Sequence, residues 1–176
     1  MNLIFSADEN WGIGKGNQLL FRVSPDMQHF KEKTTGGVVI MGRKTLDSLP
    51  GGMPLENRVN VVLTRDPDGI RPEIRDRLIA CVDLAALACV LQNRKAKPDA
   101  TWVVGGAEII ELLEPYCREA YVTRFLSADK DADRRVKNLD AAEGWEIAET
   151  GELQEWDGLR FRFDRYRNNN VKEFQP

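Results

Sequence analysis

Histidine is nearly absent from this chain of 176 residues, where His29 stands alone. Ser/His/Asp triads, Cys/His dyads and multi-histidine metal sites each need a histidine at a defined place, so general acid–base chemistry falls mainly to carboxylates. Cysteine is scarce as well: Cys81, Cys89 and Cys117 are odd in number, far apart and outside any CxxC pattern. That disfavours a disulfide framework and a zinc site, and predicts reduced, mostly buried thiols. No apolar run approaches bilayer length, so no membrane association is expected. The N-terminus lacks the basic flank and the small-residue cleavage site of a secretory signal, which predicts a cytoplasmic protein. Nor is there an excess of basic charge: 25 Lys and Arg stand against 28 Asp and Glu, for a net charge of −3. A general nucleic-acid binder needs a basic surface, so an anionic ligand here must be held by a local cluster.

Repeats, low-complexity tracts and Pro/Gly/Ser-rich linkers are also missing. A single domain over residues 1–167 is expected, with a polar tail at 168–176 that frays, in a monomer. Short apolar runs at 3–7, 38–41, 59–64, 78–82, 101–104 and 120–125 read as strands. Helix patterns separate them. Ser24-Pro25-Asp26 is a helix start, with Ser24 as N-cap and Pro25 in the first turn, running to about Thr34. Helices are also expected at 43–49, at 84–92 behind an Asp83 cap, and at 107–113. The alternation implies an α/β fold: a mixed, mostly parallel central sheet of about eight strands flanked by four helices, with ligands beyond the carboxyl ends of the strands. At 145–149 and 159–166 the pattern changes. Leu159, Phe161 and Phe163 alternate with Arg160, Arg162 and Asp164, as in a C-terminal antiparallel edge hairpin. A long loop at 8–23 holds Gly12, Gly14 and Gly16, which predicts a functional, movable segment.

Three groups of residues carry chemistry. Asp26 lies one helical turn before Phe30, so a carboxylate shares a wall with an aromatic ring. Such a site suits a flat heteroaromatic ring whose two parallel N–H donors match two carboxylate oxygens. In 38–45, a buried strand is followed by Gly42 and a helix opening with Arg43, Lys44 and Thr45, a plausible phosphate cradle. In 101–108, a second buried strand runs into Gly105-Gly106-Ala107, where glycines let a ligand approach the main chain. Read singly, each has a bland explanation: a dipole-favouring Asp, a basic surface, a simple turn.

Together they resemble the dihydrofolate reductase family over nearly the whole chain. The resemblance rests on Trp11-Gly12-Ile13-Gly14, Pro25-Asp26 with Phe30, the 39–45 segment, Pro54-Leu55 with Arg58 and Asn60, the 103–107 segment, and Tyr121-Val122-Thr123. It implies that Asp26, supported by the Thr123 hydroxyl, binds the 2-amino and N3 edge of the pterin of dihydrofolate, beside Phe30. Ile4, Phe5 and Val104 would line the pterin pocket, Leu55 would touch the benzoyl group, and Arg58 would clamp the α-carboxylate. For the implied cofactor, NADPH, Arg43, Lys44, Thr45, Thr64 and Arg65 would hold the phosphates. Gly42 and Leu63 would also contact the cofactor, and Gly105, Gly106 and Ala107 would cradle the pyrophosphate. Ser6, Ile13, Asn17 and Leu19 would approach the nicotinamide half. The implied reaction is hydride transfer to C6 with protonation of N5, in which Asp26 orients and water carries the proton.

Three positions depart from the family pattern. Leu20-Phe21 replaces the usual Pro-Trp, Glu108 stands where a cation often assists the 2′-phosphate, and Arg134-Arg135-Val136 replaces an aromatic pair and proline. Two other readings stand beside it: a pyrimidine reductase of riboflavin synthesis with the same fold, which explains the two glycine elements but accounts less well for Pro25-Asp26, Phe30, Arg58 and Thr123, and, motivated by Leu20-Phe21 and Glu108, a catalytically silent pterin or nucleotide binder.

Overall fold

Strands rich in Val and Ile form the centre of the protein because β-branched side chains pack well on a pleated, doubly covered surface. The computed structural model describes residues 1–175. In chain order its elements are β1 (Asn2–Ala7), β2 (Gly12–Lys15), β3 (Gln18–Leu19), α1 (Ser24–Thr34), β4 (Val38–Gly42), α2 (Arg43–Ser48), β5 (Val59–Leu63), β6 (Ile79–Cys81), α3 (Leu84–Asn93), β7 (Thr101–Gly105) and α4 (Ala107–Leu113). Then come β8 (Glu119–Phe125), β9 (Arg134–Arg135), β10 (Trp145–Glu149), β11 (Gln154–Trp156) and β12 (Leu159–Asn168). The main sheet runs β10-β12-β8-β1-β7-β4-β5-β6, with β11 attached to β12. Pairings from β8 to β6 are parallel, whereas β12 is antiparallel to both β8 and β10. The mixed sheet and the C-terminal hairpin are therefore as the pattern predicts.

Alternation along the strands divides the core between two faces. Val38 and Ile40 of β4 join Leu87 of α3 and Ile110 and Leu113 of α4. Val39 and Met41 join Leu46 of α2 and Phe30 of α1 on the other side. Among the described residues four α-helices thus cover the sheet, two to a face. Asp83 caps α3 by accepting from the Ala86 N–H at 2.7 Å, as its position predicts. Leu49, preceding Pro50, is extended (φ −64°, ψ 156°), so α2 stops at Ser48 rather than Leu49.

Four expectations need correction. The N-cap of α1 is Val23, with no side-chain cap; Ser24 is already helical, and Pro25 alone marks the start. Residues 8–23 are not an open loop, since β2 pairs with both β3 and β9 in a small antiparallel sheet. Buried Asp8 organises its base, accepting from the N–H groups of Asn10, Gly12 and Asp129. Asp164 does not face solvent: it is 2% exposed, paired with Arg162 at 2.8 Å, and receives the Gly151 N–H. β12 lies inside the sheet, so both its faces are covered in part. The described part of the tail also keeps contact with the body: β12 runs to Asn168, Lys172 N–H bonds to Pro115 O, and Phe174 packs edge-on against Tyr116.

Candidate active site

The first turn of α1 brings Asp26 to the middle of β8, 97 residues away in sequence. Thr123 Oγ1 donates to Asp26 Oδ1 at 2.6 Å. Both groups are buried, at 8% and 4% exposure, and the neighbouring wall is apolar. Ile4, Phe30, Leu55 and Val104 all belong to one cluster around Leu46 and Trp102. Burial pushes the Asp26 carboxyl above its ordinary value, and the Thr123 bond partly offsets that by favouring the anion. The arrangement is a buried carboxylate beside an apolar wall, with Oδ1 held by Thr123 and Oδ2 without a hydrogen bond among the described residues.

Not every predicted lining residue joins that wall. Phe5 follows Ile4 on β1, and successive strand residues point to opposite faces, so its side chain packs against the other core cluster. Ser6, two residues on from Ile4, returns to the Asp26 face opposite Thr123. Arg58 is brought to the C-terminal end of α1. Its Nε donates to Thr34 Oγ1 at 2.8 Å, its Nη1 donates to Glu56 O at 2.8 Å, and its guanidinium lies 5.9 Å from the Phe30 ring centre. No carboxylate pairs with it among the described residues, and partial burial lowers its pKa. Asn60 fixes Leu55 by bonding both its N–H and its C=O, at 2.9 and 2.8 Å.

Thr34 was missed by the motif reading. It shares the helical stripe of Asp26 and Phe30 at i+4 spacing, which is the signal that could have found it. Asp26 and Thr34 are the two buried residues of α1. One carboxylate, one ring and one hydroxyl therefore line the inner face of this helix.

The second half of the cleft is built by strand register. Met41 lies beside Gly105 and Gly42 beside Leu63, so β4, β5 and β7 end side by side. Arg43-Lys44-Thr45, Thr64-Arg65 and Gly105-Gly106-Ala107 consequently emerge together at one rim. Gly105 has φ +129° and is joined to Gly106 by a cis peptide bond. A Cβ on Gly106 would stand 3.3 Å from Thr45 Oγ1, so the glycine backbone faces this hydroxyl across a narrow cradle. The cations are unequal. Arg43 is held by Asp47 at 3.0 Å, whereas neither Lys44 nor Arg65 is in an ion pair among the described residues. Thr64 Oγ1 accepts from the Asp66 N–H at 3.1 Å. Glu108 is exposed in the first turn of α4.

The small sheet approaches this rim from the other side. Asn17, with φ 61°, donates through Nδ2 to Lys44 O at 3.0 Å. Ile13 is half-buried and Leu19 is 44% exposed. No helix among the described residues is long and apolar enough to cross a membrane.

Comparison with known proteins agrees with this geometry. The family model described as dihydrofolate reductase matches residues 1–168. The dihydrofolate reductase of Bacillus subtilis (strain 168) is 32% identical, covering 97% of this chain and 95% of that protein. That of Mycobacterium tuberculosis (strain ATCC 25618 / H37Rv) is 32% identical over 96% and 98%, and that of Sus scrofa 28% identical over 97% and 98%. With a buried Asp–Thr pair at one end of the cleft, a glycine cradle at the other, and matches running end to end, the chain belongs to the dihydrofolate reductase family.

Proposed function

We propose that the protein reduces 7,8-dihydrofolate to 5,6,7,8-tetrahydrofolate with NADPH as hydride donor. The observation that carries this reading is the Asp26–Thr123 pair, 2.6 Å apart and buried in an otherwise apolar wall. Thr123 occupies one oxygen of Asp26, so the carboxylate presents its second oxygen and a remaining lone pair to two parallel N–H donors, the 2-amino and N3 edge of a pterin. Asp26 acts by orientation and charge. Phe30, Ile4 and Val104 press on the ring faces and exclude water, which strengthens the field of that one anion. Leu55 takes the benzoyl group, and the Arg58 fork, already held flat by Thr34, takes the α-carboxylate of the tail.

The cofactor rim fits a dinucleotide on two counts. Gly105 and Gly106 leave the backbone open beside Thr45, and Lys44 and Arg65 are cations without ion-pair partners among the described residues. Lys44, Thr45, Thr64 and Arg65 take the phosphates, with Arg43 joining if it leaves Asp47. Gly105, Gly106 and Ala107 take the pyrophosphate, while Ser6, Ile13, Asn17 and Leu19 border the nicotinamide half; Gly42 and Leu63 set the strand ends that carry these groups. When bound, NADPH supplies the hydride. The chain's own part is to hold the two rings together and keep bulk water out.

The test is absorbance at the NADPH band with purified protein and dihydrofolate, comparing the natural chain with Asp26→Asn. Oxidation that falls at least about a hundredfold in the variant supports the reading. No oxidation by the natural chain sinks it, and tight pterin binding in that case would make the protein a binder only.

A further inference from the structure

Thr123 and Arg124 are neighbours on β8, so their side chains leave the sheet on opposite faces. Thr123 turns to Asp26, whereas Arg124 turns away from the substrate wall toward Trp11, the residue just before β2. The Arg124 guanidinium carbon lies 4.0 Å from the centre of the Trp11 ring. Tyr166 meets the same indole edge-on, with centroids 5.9 Å apart and planes at 67°. Trp11 is 3% exposed, Arg124 8% and Tyr166 1%, so the cation is stacked on the indole away from bulk water.

Polar contact accounts for the position of this cation only in part, through a long ion pair with Asp140. Its Nη2 is 3.7 Å from Asp140 Oδ2, beyond hydrogen-bond range, and Asp140 Oδ1 instead accepts from the Tyr166 hydroxyl at 2.7 Å. Nη1 is buried with no hydrogen-bond partner among the described residues. Across the strand pair Arg124 faces Arg162, a second cation that is itself taken by Asp164. A desolvated guanidinium with an unmet donor is costly, and two contacts offset that cost, the Asp140 carboxylate at 3.7 Å and the face of Trp11 at 4.0 Å.

Trp11 is well placed to pass that contact on. It adopts φ 59°, a conformation unfavourable for a bulky residue and one that must be held by its surroundings. Its N–H bonds back to Asp8 O at 3.1 Å and its C=O accepts from Val136 N–H at 3.0 Å, which ties its backbone to the turn after β1 and to the segment after β9. Trp11 is thus one anchor of the segment from Gly12 to Leu19, beside Asp8 at its base, β9 along its edge and the Asn17–Lys44 bond at its far end.

We propose that Arg124 is a positioning residue that acts through Trp11 to hold the β2–β3 segment against the cofactor rim. The cofactor half of the statement rests on the function proposed above; the loop half does not. One strand then serves both ends of the cleft, with Thr123 on the substrate carboxylate and Arg124 on the covering loop.

The test uses the full chain with Arg124→Met, Arg124→Lys and Trp11→Leu, alone and combined, and has two readouts. Amide hydrogen exchange without cofactor is expected to become about tenfold faster at Gly12 and Gly14 in Arg124→Met, with core amides such as Val39 and Val103 unchanged and Arg124→Lys recovering most of the protection. NADPH binding is expected to weaken about tenfold while dihydrofolate binding moves less than about twofold, and Arg124→Met is expected to have no further effect on a Trp11→Leu background. Equal loss of protection across the core would make Arg124 merely structural and overturn the proposal. Additive effects of the two substitutions, or failure of Lys to rescue, would also overturn it. Faster loop exchange with unaltered NADPH binding would overturn the coupling to the cofactor. The exchange readout needs no turnover, so failure of the reductase reading and failure of this one are separately visible.

Discussion

Asp26 is a residue whose chemistry opposes its location. The folded protein holds the proton of this carboxyl more tightly than the unfolded chain does, because burial raises its pKa. Its contribution to stability is therefore most favourable below the ordinary carboxyl range and is lost as pH rises through the folded pKa, after which a buried anion remains. Asp26→Asn keeps an acceptor for Thr123 and removes the charge. We expect it to raise stability at neutral pH by on the order of 1 kcal/mol, seen in urea titrations, while abolishing turnover. The same carboxyl should govern the pH profile: its charge holds the pterin, but reduction also consumes a proton at N5, and the protonated site is depleted as pH rises, so hydride transfer should fall above its titration. Thr123→Val removes the one bond that favours the anion, so the limb measured in single-turnover experiments should move to higher pH. An unmoved limb would mean that another group titrates.

At the scale of elements, α1 presents Asp26, Phe30 and Thr34 as one stripe, and Arg58 is docked at its far end through Thr34. Arg58→Lys keeps the charge but loses the planar fork and the Thr34 anchor. The KM for dihydrofolate should rise on the order of tenfold with kcat nearly unchanged, since a tail contact is made equally in ground and transition states. The glycine cradle behaves differently. Gly105 has φ +129°, a region in which L side chains are strained whatever the space around them. Gly105→Ala should weaken NADPH binding, measured by fluorescence titration, and leave dihydrofolate binding intact.

Over the whole molecule, β10 and β12 extend the sheet beside β8, and β12 sets Phe163 next to Thr123. Glu114 ties this region to α4. Its carboxylate, buried in a residue 7% exposed, accepts from the Trp145 indole N–H and from Lys137. Glu114→Ala strands the buried indole donor and should cost about 2 kcal/mol in urea unfolding, with activity per folded molecule retained. Loss of activity in proportion to a change in KM would instead place Glu114 in contact with the cleft.

The sequence alone determined the elements whose signals are local. Pro25 set the start of α1, Asp83 that of α3 and the glycine pair that of α4, because a fixed φ, a side-chain cap and a missing Cβ act within one turn. The alternation of apolar runs with helices determined a mainly parallel sheet, and several short motifs in register determined the family. Even the capture of Arg43 by Asp47 was open to reading from i,i+4 spacing. Tertiary structure decided what depends on contacts between distant segments. It joined Asp26 to Thr123 and set Phe5 facing away from the pocket once the β1 register was fixed. It buried Asp164 by placing β12 inside the sheet, and folded the glycine segment onto β9 over Asp8. It stacked Arg124 on Trp11, a contact no spacing rule anticipates, because a cation–π pair needs two faces that only packing brings together.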